Sequence, residues 1–139
     1  MKWAVTAAAL GMFASQGQAD PCAPNTSDDI ASFEAAKAAF LRADYEGVFN
    51  SMGPYFPGTD YDQTFGQVRV VFPMPFKHCR TVLQRREKPG FLQELVFYFP
   101  AGSEAPLALL LIGAEVDGQV NLIEFSFNTN ISDVLDNLK

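Results

Sequence analysis

The stretch that decides the fold is Leu107–Asn128, LALLLIGAEVDGQVNLIEFSFN. Two apolar-rich runs flank Asp117-Gly118, a dipeptide suited to the positive-φ positions of a tight hairpin turn. The stretch therefore reads as two antiparallel strands, Leu107–Val116 and Gln119–Asn128. Pairing outward from the turn sets Val116 opposite Gln119, Ile112 opposite Ile123 and Leu110 opposite Phe125. Ala108, Leu110, Ile112, Ala114, Val116, Ile123, Phe125 and Phe127 then share one side, the natural seat for helices. The other side carries Leu109, Leu111, Gly113, Val120 and Leu122 beside Glu115, Glu124 and Ser126, and is too apolar to be left in water. Leu109, Leu111 and Leu122 are therefore candidate interface residues, covered by a second copy of the chain, by the 53–64 loop and chain ends, or by a small amphipathic ligand. The alternative is that the sheet curls and the chain's own closing helix covers them.

Upstream, the same period of two runs through Gly66–Phe72, Phe76–Arg86 and Phe91–Phe99, with Pro73-Met74-Pro75, Glu87-Lys88-Pro89-Gly90 and Pro100–Pro106 between strands. A turn at Glu87–Gly90 sets Arg86 opposite Phe91, Gln84 opposite Gln93 and Arg80 opposite Phe97, with Arg85 diagonal to Glu94 and able to pair with it. Earlier still the period is helical. Within Asp28–Met52, Ile30, Phe33, Lys37, Phe40 and Leu41 form one stripe, interrupted by a lysine able to snorkel. Ser27 or an aspartate just after it can cap the start. A second, short helix begins at Asp44, carries Tyr45, Val48, Phe49 and Met52, and is stopped by Gly53-Pro54. Residues 53–64, GPYFPGTDYDQT, read as an irregular loop able to lie over an opening in the fold. Ile131–Leu138 reads as a closing helix capped by Asn130 or Ser132. The expected class is α+β: N-terminal helices packed on a curved four- to five-stranded antiparallel meander sheet, with a short C-terminal helix.

Residues 1–19 open with Lys2, run apolar from Trp3 to about Ala14 and end in Ser-Gln-Gly-Gln-Ala. A positive start, a short apolar middle and small residues before a cut describe a secretory signal peptide. A cleaved leader, 1–19, and a single exported domain, 20–139, are expected, placing the product in the periplasm or outside the cell. The leader is too short and too polar at its end for a membrane span, and Leu107–Ala114 is only eight residues. Cleavage removes one base, Lys2, and no acid, so the net charge moves from −6 to −7. Such a surface argues against nucleic acid and anionic membranes as partners. Both cysteines, Cys22 and Cys79, lie in the exported part, with no Cys-x-x-Cys, and suggest one structural disulfide. Two unpaired thiols, or a redox or metal pair, are the alternatives.

His78 is the single histidine and stands in a basic run, Lys77-His78-Cys79-Arg80, followed by Arg85, Arg86 and Lys88. That strand is able to hold a carboxylate or phosphate group, and His78 and Arg80 are candidate ligand contacts. Equally, charge on an edge strand deters strand-to-strand aggregation. Tyr55, Phe56 and Tyr61 in the aromatic loop are further candidate contacts, as is Glu124, one of the acids with which His78 would act in a lyase or isomerase. Asp28-Asp29 and Asp60-Tyr61-Asp62 lack the glycine and terminal glutamate of a calcium loop. No Gly-rich phosphate loop, Gly-x-Ser-x-Gly or His-Glu-x-x-His occurs, so no catalytic residue, metal ligand or cofactor is assigned.

The order helix, second helix beginning Ala43-Asp44-Tyr45-Glu46-Gly47-Val48-Phe49, then antiparallel strands over residues 28–128 resembles the nuclear-transport-factor-2-like (cystatin-like α+β) superfamily. It is most similar to small exported bacterial members of unknown function. The resemblance implies a curved sheet wrapped on helices as a cone, dimerisation through the sheet and small apolar ligands within; a minority of members are isomerases or dehydratases. Their catalytic residues have no counterparts placed here, and Pro73, Pro75 and the closing helix depart from the pattern. The leading expectation is a non-enzymatic exported binding or interaction module. A small-molecule isomerase or lyase with a cone-shaped pocket, and a structural envelope protein, are the alternatives.

Overall fold

Asp44 and Asp60 each start a helix in the same way, their carboxylates accepting the backbone N–H three residues on, from Gly47 at 2.9 Å and Gln63 at 2.8 Å. The structure is a computed structural model describing residues 22–23, 30–52, 58–102 and 105–139. Among these, three helices come first: α1 (Ala31–Leu41), α2 (Tyr45–Ser51) and α3 (Tyr61–Val71). An antiparallel meander follows, β1 (His78–Glu87), β2 (Phe91–Phe99), β3 (Leu107–Val116) and β4 (Gln119–Asn128), in the order β1-β2-β3-β4. A short helix α4 (Ile131–Leu135) closes the chain. The expected α+β class and the last four strands are borne out. The leader, the caps at Ser27 and Asp28, the stop at Gly53-Pro54, and Tyr55 and Phe56 lie outside the described residues.

The first expected strand, Gly66–Phe72, is instead the second half of α3. Its valines suggested alternation, yet Val70 and Val71 are 78% and 55% exposed, while Phe65, Val68 and Phe72 are buried at helical spacing. A strand would have turned Val68 and Phe65 to opposite sides.

The hairpin turn is where the dipeptide placed it, with positive φ at both Asp117 and Gly118. Val116 pairs with Gln119 as expected, but β4 carries one extra residue, Ile123: Gly113 pairs with Leu122 and Ile112 with Glu124. This bulge turns Phe125 and Phe127 to the opposite side from that expected, setting them across from Leu111 and Leu109. The helices sit on that side. Leu109, Leu111 and Leu122 are 1%, 1% and 3% exposed beneath them, so these residues form the core and not an interface. Gly113 is required here, because a Cβ at this position would lie 2.8 Å from the Phe33 ring of α1. Ala108, Leu110, Ile112 and Leu95 face the other way, under Val134, Ile131 and Leu138 of the closing segment. The chain's own two ends thus cover both apolar faces.

A second bulge, at Val82, lies between Thr81 opposite Val96 and Leu83 opposite Leu95. Arg80 meets Phe97 as expected, but the turn is one residue shorter than Glu87–Gly90, so Gln84 meets Glu94 and Arg86 meets Leu92. The expected Arg85–Glu94 pair does not form. Arg85 instead binds Glu87 at 2.9 Å and the backbone carbonyl of Lys139 at 2.8 Å. Gln93, buried on the same face, holds the backbone N–H and C=O of Lys139 with its amide, at 2.9 and 3.0 Å.

Lys37 does not snorkel. Its side chain is fully buried, and its ammonium contacts Glu34, Glu94 Oε2 at 2.9 Å and Thr81 Oγ1 at 3.2 Å. The Thr81 hydroxyl donates to the carbonyl of Cys22 at 2.7 Å, and Cys22 is bonded to Cys79 as expected. Gln84 Nε2 donates to the remaining Glu94 oxygen at 2.8 Å. Burial by itself would push the Lys37 pKa down; hydrogen bonds and charge from Glu34 and Glu94 outweigh it and hold the group above 10.5.

The following outcomes are expected in urea unfolding. Lys37→Met strands Glu94 without its cation and costs about 3–5 kcal/mol, and adding Glu94→Gln, which keeps the bond from Gln84, recovers most of it. Because the folded pKa of Lys37 is raised, its contribution is complete below the unfolded value of 10.5 and is lost as pH climbs through the folded one. Replacing Cys22 and Cys79 by serine opens a loop with a sequence separation of 57 and lowers stability by about 2–4 kcal/mol.

Candidate functional site

At the margin of its buried stripe, α3 borders the open end of the hairpin. Gln63, Thr64, Gln67, Val68 and Val71 recur there at helical spacing, opposite Leu107 at the start of β3 and Phe127, Asn128 and Thr129 at the end of β4. Together with Phe72 they line a cleft of about 210 Å³. Its floor is apolar (Val68, Phe72, Leu107, Phe127) and its rim carries amides, hydroxyls and the exposed Val71, with no charged side chain among the lining residues.

Packing fixes both walls. Phe65, fully buried, stacks on Phe125 and Phe127 with ring centroids 5.7 Å apart in each case, which docks α3 onto β4. The C-terminal end of α3 is pinned by Tyr45 of α2, whose hydroxyl donates to the Phe72 carbonyl at 2.7 Å. On the other wall, Asn128 is held by Asp133 and by the Asn130 N–H. The charged groups nearest in sequence are committed elsewhere: Arg69 pairs with Asp62 at 3.0 Å and lies over the Tyr61 ring.

The residues selected from the sequence fall in other places. Tyr61 opens α3 but packs against Phe49 and Phe65, outside the cleft lining. His78 and Arg80 share the sheet face opposite α1–α3, exposed at the edge strand, where the His78 ring stacks on Phe99 at 4.6 Å. Glu124 is exposed on that same face, but three strands away and six residue rows along. Strand spacings put that separation at more than ~20 Å, so the expected His78–Glu124 acid–base pair is not assembled. Among the described residues, no group of three His, Cys, Asp or Glu side chains is placed to hold a metal. The cleft residues were hidden by reading 53–64 as loop and 66–72 as strand. The signal that finds them is Asp60-Tyr61-Asp62-Gln63, an acidic N-cap with glutamine three residues on, which marks a helix start.

Burial, with a smaller effect from Tyr61, pushes the Tyr45 phenol up to about 12. The folded state therefore favours the neutral phenol, and its contribution is complete below pH 10 and lost as pH rises toward 12. In an ultraviolet titration Tyr45 is expected to ionise well after the exposed tyrosine range. Tyr45→Phe leaves the Phe72 carbonyl unpaired, costs about 1–3 kcal/mol, and raises amide exchange at the end of α3.

Comparison of the chain with protein-family models, curated proteins and solved structures finds no match.

Proposed function

We propose that this chain is an exported, disulfide-stapled binding domain that takes a small amphipathic molecule in the cleft between α3 and the open end of the β3–β4 hairpin. The observation that carries this is the lining: a concave apolar floor with a rim of neutral hydrogen-bonding groups. Proton-transfer chemistry needs a titratable group within hydrogen-bond reach of the reacting atom, and the lining supplies none. Binding is therefore favoured over catalysis. Export to the periplasm or beyond is supported by the leader-like residues 1–19 and by the Cys22–Cys79 disulfide, which suits an oxidising compartment. No helix among the described residues is long and apolar enough to cross a membrane.

The helices-then-meander order supports kinship with the nuclear-transport-factor-2-like superfamily. The region corresponding to the inside of a cone is here filled by Phe33, Phe40, Phe65 and Tyr98, all fully buried. Ligand is accordingly placed at the margin of the helix layer and not beneath it.

Binding is tested by titrating the oxidised, ¹⁵N-labelled protein with benzyl alcohol. Shifts are expected at Gln67, Val71 and Thr129, and Val71→Trp, which fills the cleft from a half-exposed position, is expected to weaken binding at least tenfold without lowering the unfolding midpoint. Shifts confined to other surfaces, or unchanged binding in Val71→Trp, would overturn the assignment.

A further inference from the structure

We infer that the molecule held in this cleft is uncharged and flat, a ring-bearing carboxamide or lactam whose polar edge both donates and accepts hydrogen bonds. This rests on the cleft being the binding site and narrows what enters it. Gln63 and Gln67 stand one helical turn apart on the rim, both exposed, so their carboxamides sit about 5–6 Å from each other at the Cβ atoms. Each carries a donor and an acceptor. Two such groups side by side match a ligand edge that also offers both, and Thr64 and Thr129 add hydroxyls at the same rim.

Charge is excluded by what surrounds the rim. A carboxylate or ammonium entering the cleft would leave water and meet no counter-charge among the lining residues, and Arg69 is engaged by Asp62 and Tyr61 on another face of α3. A pure hydrocarbon is excluded for the converse reason: it would strip water from the rim amides and return no hydrogen bond. Size sets the rest. The cleft, at about 210 Å³, lies below the range of about 300–1,000 Å³ that holds drug-sized ligands, so it suits a smaller molecule. The cleft lies between a helix and the end of a hairpin, and the half-buried Phe127 ring forms part of its floor. A planar ring suits that floor.

A matched series tests this: benzamide, benzoate and acetophenone, which share a ring and differ in whether the polar end is a neutral donor–acceptor, an anion or an acceptor alone. Benzamide is expected to bind about tenfold or more tighter than benzoate and on the order of fivefold tighter than acetophenone. Gln67→Leu, at an exposed helix position, is expected to weaken benzamide about fivefold or more and to abolish its preference over acetophenone; Gln63→Leu repeats the test from the neighbouring turn. If all three probes bind equally in the cleft and Val71→Trp blocks them, the cleft is a site but its ligand class is wrong. If benzoate binds best, the exclusion of charge fails. If none binds, or Val71→Trp changes nothing, the binding site itself is misplaced.

Discussion

Ile123 is the single residue by which β4 exceeds β3 between the hairpin turn and the sheet's open end. Its insertion decides which side of β4 the two phenylalanines occupy, and so which face of the sheet can receive the helices. With Phe125 and Phe127 beside Leu109 and Leu111, that face offers the rings on which Phe65 stacks. Phe65 in turn docks α3, and α3 supplies one wall of the cleft. Without the extra residue, Glu124 and Ser126 would stand on the helix side, and burying them there would require partners the helices do not offer. The bulge therefore couples the sheet register to the existence of the candidate site.

A different constraint operates at the other end of the helix layer. Lys37 lies on the buried stripe of α1, and Glu94 lies on the inward face of β2, so neither tolerates the burial of the other uncompensated. Thr81 completes the coordination of the ammonium and hands the hydrogen bonding on to the carbonyl of Cys22. The disulfide thus does more than shorten the unfolded chain: it holds the Cys22 segment over a polar cluster inside an otherwise apolar core. Such a cluster contributes little net stability compared with an apolar replacement, but it penalises any other placement of α1 on the sheet.

Much was legible locally. Asp117-Gly118 fixed the turn between β3 and β4, the four strands followed from period two, and the cysteine count anticipated the bond between Cys22 and Cys79. Asp44 announced α2 through its own cap. The errors share a cause. Valine-rich α3 looked like a strand because Val70 and Val71 are β-branched, although both are solvent-facing. Lys37 looked like a snorkelling residue because nothing local reveals that Glu94, far along the chain, will be beneath it. His78 and Glu124 looked combinable until the meander separated them to opposite edges.

The sequence by itself determined the elements of the second half, the hairpin turn, the covalent crosslink and the acidic net charge, because each rests on residues close together or on counts. Tertiary structure alone decided which sheet face meets the helices, which buried charges neutralise one another and where a cleft remains. Those outcomes depend on a one-residue bulge and on contacts between distant segments, whose energies exist only once the segments are packed.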